Sequence, residues 1–155
     1  MATLNYTGDG SGTCAPDPHW MKAQPVCFYR RLTVATIIAS DATMTTNGYI
    51  TIADVIQAID IPIGFVFDKA MIRIITATTA ACNCEVGLAG GAEAIASFDL
   101  DGTAGVCATT IETDSWSNGK VFYAADTIDV EIITANATNG DFELFVFGWL
   151  CQLGA

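Results

Sequence analysis

Positive charge is scarce in this sequence. Six Lys and Arg stand against seventeen Asp and Glu, for a formal net charge of -11 and a pI near 4.1. A phosphate backbone is bound chiefly through Lys and Arg, so nucleic acid is not an expected partner. Charge of either sign is low as well, at 15 % of residues against 52 % apolar. That leaves little to cover the surface of a monomer and points to apolar surface that meets another chain. No stretch approaches the roughly 18 apolar residues of a membrane helix, so no membrane is expected either. The opening MATLNYTGDG has neither a basic n-region nor an apolar h-region, and the expectation is a soluble chain without a secretory signal.

Chemistry-bearing patterns are scarce too. Histidine occurs once, as His19 between Pro18 and Trp20. A Ser/His/Asp or Cys/His arrangement would therefore hang its base on a Pro-rich arm. Carboxylates are plentiful, but their number identifies no glycosidase pair, and solvation of the surface accounts for most of them. GLAGGAE at 87–93 lacks both the dinucleotide-binding spacing and a phosphate-loop lysine. SFDLDGTAG offers Asp99, Asp101 and Gly102 to a calcium ion, yet Ser97 stands in the first ligand position and Ala108 in place of the bidentate acid, so it reads as a loop. Cys82 and Cys84 would share one face of a strand. Zinc generally needs four ligands, however, and Cys14, Cys27, Cys107, Cys151 and His19 show no second paired spacing. With 155 residues available for a core and no export signal, the six cysteines are expected as free thiols, largely buried. No catalytic, metal-binding or cofactor-binding residue is assigned, and no enzyme is expected.

What is present is strand signal. Residues 1–26 hold Pro16, Pro18 and Pro25, three of the four prolines, without sustained periodicity, and read as an extended N-terminal arm. Its apolar content lies in His19-Trp20-Met21, which suggests that the arm docks on its own domain or on a neighbour. Residues 27–155 read as one domain. CFYRRLTVATIIA, YITI after Asn47-Gly48, GFVFDKAMIRIITAT and CNCEVGLA read as strands. Further strands are predicted near 105–110 and 120–123, followed by a closing pair. Arg30 and Arg31 should point to opposite faces of the first strand. ADVIQAID at 53–60 and AEAIASFD at 92–99 show helical spacing through Val55, Ile56 and Ile59 and through Ile95 and Phe98, and predict short helices. Seven or eight strands with so few helices predict an all-β antiparallel sandwich of jelly-roll kind.

The closing pair, DTIDVEIITANATNGDFELFVFGW, is the most informative stretch. Asn139-Gly140 is a strong two-residue hairpin signal and would set Ile132 opposite Phe147 and Thr134 opposite Phe145. In any register the last strand carries Phe142, Leu144 and Val146 on one side and Phe145, Phe147 and Trp149 on the other. Both faces must then be covered. The cover is either more of the same chain or a sister subunit, and the low overall charge favours the subunit.

AEAIASFDLDGTAGV at 92–106 and GKVFYAADTIDVEIITANATNGDFELFVFGWL at 119–150 resemble the C-terminal half of small head proteins of tailed bacteriophages. In those proteins a strand, an F-D-L segment, a "DTIDV" strand, a Gly-containing turn and a final apolar strand recur in that order. The resemblance implies a capsid decoration or cement protein: a trimeric β-sandwich, made in the host cytoplasm, that binds the outer capsid surface over joints between capsomers of the major capsid protein. His19, Trp20, Met21, Phe145, Phe147 and Trp149 are the expected subunit or capsid contacts. The alternative is a β-sandwich ligand-binding module, such as a carbohydrate-binding, fibre or tail accessory protein, with Trp20, Trp116 or Tyr123 as an aromatic platform. Only generic acids speak for a hydrolase.

Overall fold

The computed structural model describes residues 24–88, 94–105, 107–108 and 119–151. The arm residues His19, Trp20 and Met21, and also Trp116, lie outside these. Among the described residues eight strands and two short helices follow one another: β1 (Gln24–Thr33), α1 (Val34–Ser40), α2 (Ala42–Asn47), β2 (Val55–Ile61), β3 (Phe65–Thr76), β4 (Asn83–Gly87), β5 (Ala94–Asp99), β6 (Cys107–Ala108), β7 (Asp126–Ile132) and β8 (Asp141–Leu150). No helix among the described residues is long and apolar enough to cross a membrane.

The strands form two four-stranded sheets, ordered β1-β8-β3-β6 and β2-β7-β4-β5. Every pairing is antiparallel, and β1 pairs with β8, β2 with β7, β3 with β6 and β4 with β5. This is the pattern of one long ribbon rolled over on itself, closed by the β8–β3 and β7–β4 pairings. The result is the jelly roll that strand number and patterning predicted.

Alternation decides which side chains fill the space between the sheets. Phe65, Phe67, Ile72, Leu144 and Val146 from the first sheet meet Ile61, Val86, Ile95, Phe98, Ile128, Val130 and Ile132 from the second, all buried. Cys82 and Cys84 are buried among them as free thiols, and Cys27 and Cys151 are free as well. Burial pushes the Cys84 thiol pKa well up, so it behaves as a small apolar group.

Two predicted helices are strands, for one shared reason. In β2 the pairing with β7 jumps between Gln57 and Ile59, so Ala58 is an extra residue in a β-bulge. Ile56 and Ile59 thereby fall on the same side of the sheet although they are three apart, which imitates helical spacing. In β5 the partner of Val86 is Ala96 and that of Gly87 is Ala94, so Ile95 is the extra residue, and it is buried together with Phe98. Conversely, Val34–Ser40 lies in a stretch that reads as strand yet forms α1. Helix α2 follows because the Asp41 carboxylate accepts hydrogen bonds from the Thr43 and Met44 amides, at 2.8 and 2.9 Å. Gly48, at φ 76°, ends it in the left-handed region, so Asn47-Gly48 is a helix stop. YITI then contributes only an isolated bridge, Ile50 to Ala137, and Val121 another, to Val66.

The predicted closing hairpin is also corrected. β7 and β8 lie in different sheets, and residues 133–140 cross between them. Asn139 makes no two-residue turn; its Oδ1 accepts hydrogen bonds from the Thr79 amide and hydroxyl, at 3.0 and 2.9 Å. β8 has instead paired along its length with β1 on one side and β3 on the other. Two long ladders outweigh one local turn preference.

Strand β8 also requires a glycine. A Cβ added at Gly148 would run into the Val66 carbonyl oxygen and lie 2.5 Å from two atoms of the Phe65 ring. Replacing Gly148 by Ala should destabilise the fold by about 1–3 kcal/mol or more through overpacking, read as a lower urea midpoint with an unchanged slope. An unaltered midpoint would show that the β8–β3 pairing is looser than described.

Candidate interaction surface

The outer face of the first sheet is built row by row from its register. Pro25 of β1, Trp149 of β8 and Val66 of β3 form one row, extended by Val121 through its bridge to Val66. Cys27, Phe147 and Lys69 form the next, then Tyr29, Phe145 and Met71, and then Arg31, Glu143 and Arg73. The odd-numbered β8 residues share this face with Lys69, Met71 and Arg73 only because β3 carries a bulge at Asp68, which reverses its alternation after Phe67.

The first three rows make an aromatic band. Tyr29 and Phe145 are cross-strand partners with ring centroids 5.1 Å apart, and Phe145 and Phe147 stack at 6.4 Å. Lys69 Nζ lies 5.4 Å from the centre of the Phe147 ring, in cation–π range. Tyr29 is 52 % exposed and Trp149 47 %, while Phe145 and Phe147 are half-buried by their neighbours. At the same end of the sandwich Ile63 and Tyr123 are also exposed, where the Gly64 amide donates to the Phe122 carbonyl.

The fourth row is a charged border. Glu143 is buried beneath Arg73, whose Nε donates to Oε2 at 2.6 Å, and the Tyr29 hydroxyl donates to Oε1 at 2.7 Å. That hydrogen bond, first, and the nearby carboxylate charge raise the Tyr29 pKa. Arg31 grips Asp141 with both Nε and Nη2, and the Thr33 hydroxyl donates to the same carboxylate at 3.1 Å. The bidentate guanidinium holds the Asp141 carboxyl below the usual carboxylate range.

No protein-family model and no curated protein matches this chain. Among solved structures it is similar to a chain of the cyanophage Pam1 capsid asymmetric unit, at TM-score 0.59 and 17 % identity over 97 % of this chain and 99 % of that one. It is similar to a chain of the Ralstonia phage GP4 capsid, at TM-score 0.57 and 14 % identity over 84 % and 86 %. A third likeness is to a chain of the acidic stable capsid of Helicobacter pylori bacteriophage KHP30, at TM-score 0.52 and 13 % identity over 84 % and 94 %. At these identities what is shared is the fold.

Of the residues singled out in the sequence, Phe145, Phe147 and Trp149 are brought together on one face. Arg30 and Arg31 do point oppositely, Arg31 outward to Asp141. Tyr29, Lys69 and Met71 join the band, and Arg73 its border, without having been anticipated. Cys27, Tyr29 and Arg31 alternate visibly in β1, but their place depends on pairing with β8, which no local pattern announces. Among the described residues no three His, Cys, Asp or Glu side chains converge to hold a metal.

Because Asp141 titrates lower in the folded chain than in the unfolded one, its pairing with Arg31 stabilises the fold above the ordinary carboxylate pKa. That contribution is lost as pH falls through the lowered folded value. Asp141→Asn should therefore lower the urea midpoint at neutral pH, and the gap from the parent protein should close on acidification below about pH 4. A gap independent of pH would contradict the charge pairing.

Proposed function

We propose that this chain is a structural, non-enzymatic component of a phage virion. Within that class it is a capsid decoration or cement protein, folded in the host cytoplasm, that assembles as a homotrimer on the outer surface of the head over joints between capsomers. The observation that carries this reading is the aromatic band of Tyr29, Phe145, Phe147 and Trp149 with its guanidinium border, set on an otherwise closed jelly roll. A band of this kind suits the centre of a protein interface, where aromatics and Arg are enriched. The likeness in fold to capsid chains from three phages supports the same class. A cement protein needs no active site and gains strength by occupying many repeated sites through modest contacts.

Two contact regions are proposed. Phe145, Phe147 and Trp149 form the first. His19, Trp20 and Met21 form the second, because the arm enters β1 at Gln24, which pairs with Leu150 beside Trp149. A ligand-binding module is the second reading, favoured only by Tyr123, which at 74 % is the most exposed large apolar side chain of the described residues.

Purified protein mixed with phage heads that lack it should sediment with them. Phe147→Asp should weaken that retention about 30-fold, the size expected for an interface anchor, while β-sheet circular dichroism stays intact. A monomer that ignores heads would contradict the proposal. Glycan binding lost on Tyr123→Ala would favour the second reading.

A further inference from the structure

The two sheets carry opposite charge balances. The strands of the first sheet hold four of the chain's six cations, Arg30, Arg31, Lys69 and Arg73, against Asp68, Asp141 and Glu143. Those of the second hold Asp60, Glu85, Asp99, Asp126, Asp129 and Glu131 and no base. On the second sheet's outer face Glu85 of β4 is the direct cross-strand partner of Glu131 of β7, in a row completed by Val55 and Ser97. Like charges placed opposite one another destabilise a sheet. Neither carboxylate has an ion-pair partner among the described residues. An isolated subunit gains nothing from this arrangement, whereas a cation arriving from outside would relieve it.

From this we infer that the Lys69 and aromatic face of one copy receives the Glu85–Glu131 face of the next, in a heterologous, sheet-to-sheet contact between copies of this chain. The inference goes beyond the function proposed above: the outer faces of two sheets packed against one another point in opposite directions, so this contact joins copies head to tail. Copies that each carry a net charge of -11 repel one another at most approaches. On the first sheet's outer face Arg31 and Arg73 neutralise Asp141 and Glu143, and Lys69 adds a positive charge beside the apolar centre, so this is where that repulsion is weakest and turns to attraction. A heterologous contact needs two different patches on each subunit, since a self-complementary patch closes a dimer. The two sheet faces are such a pair, differing in both charge and apolarity.

A charge-swap series read by sedimentation velocity on the full chain tests this. Lys69→Glu and Glu85→Lys should each weaken self-association roughly tenfold, and the double variant should recover most of it. Glu85→Lys should at the same time raise the urea midpoint of the dissociated subunit, because it removes a like-charge pair. That opposite sign separates a contact role from mere damage to the fold. Single variants that associate like the parent, a double variant weaker than either, or a parent that is monomeric at all concentrations would each overturn the inference. Head binding is measured in parallel. If Lys69→Glu loses heads but keeps self-association, the face belongs to the capsid contact and only this inference fails. If the parent binds no heads while the swap rescues association, the contact between copies stands and the virion reading falls.

Discussion

The position of β8 between β1 and β3 is the constraint on which the rest of this structure depends. Its inward side chains Phe142, Leu144 and Val146 are buried in the core, and its outward ones, Phe145, Phe147 and Trp149, form the aromatic band. An edge strand could not carry both sets, because unpaired backbone beside an apolar strip invites indiscriminate pairing. Placed centrally, β8 has its backbone satisfied on both sides and leaves only one face to be covered. The cost is steric and falls on Gly148, where β3 and the Phe65 ring come too close for any side chain.

The charged border works with that placement. Glu143 is the one acid of the outer face drawn into burial, and Arg73 and the Tyr29 hydroxyl satisfy it from the two neighbouring strands. Each partner reaches across a different ladder, so the border fastens β1 and β3 to β8 at the row where the apolar band ends. Arg31 and Asp141 repeat the arrangement nearer the solvent. These pairs contribute less through net stability, which is modest for exposed charges, than by fixing register and the limit of the apolar surface.

Much of the fold was legible because composition and alternation speak directly to a sandwich. β3, β4, β7 and β8 fall where their β-branched and aromatic runs lie. The failures share a physical cause, which is that long-range pairing overrides local pattern. Bulges at Ala58 and Ile95 turned strand alternation into apparent helical spacing, and a bulge can be recognised only once the partner strand is known. Asn139-Gly140 reads as a hairpin turn in isolation, yet β8 gains two ladders by crossing to the other sheet. The α2 caps were readable, since Asp41 and Gly48 bracket the helix, but Asn47-Gly48 serves equally well as a turn signal. For the surface, three of its aromatics followed from β8 alone, whereas Tyr29, Lys69 and the two arginines needed the register of three strands together.

The central claim is that the outer face of the first sheet is covered when this protein assembles on a phage head. Cys27 is an exposed free thiol on that face, on the edge strand β1 and beside Phe147. Site-resolved thiol labelling by mass spectrometry, on the free subunit and on protein bound to heads, measures the cover directly. Cys27 should label readily in the subunit kept dissociated by dilution and be protected in the assembly, while buried Cys84 stays unreactive in both. Equal labelling of Cys27 in the two states would contradict the account.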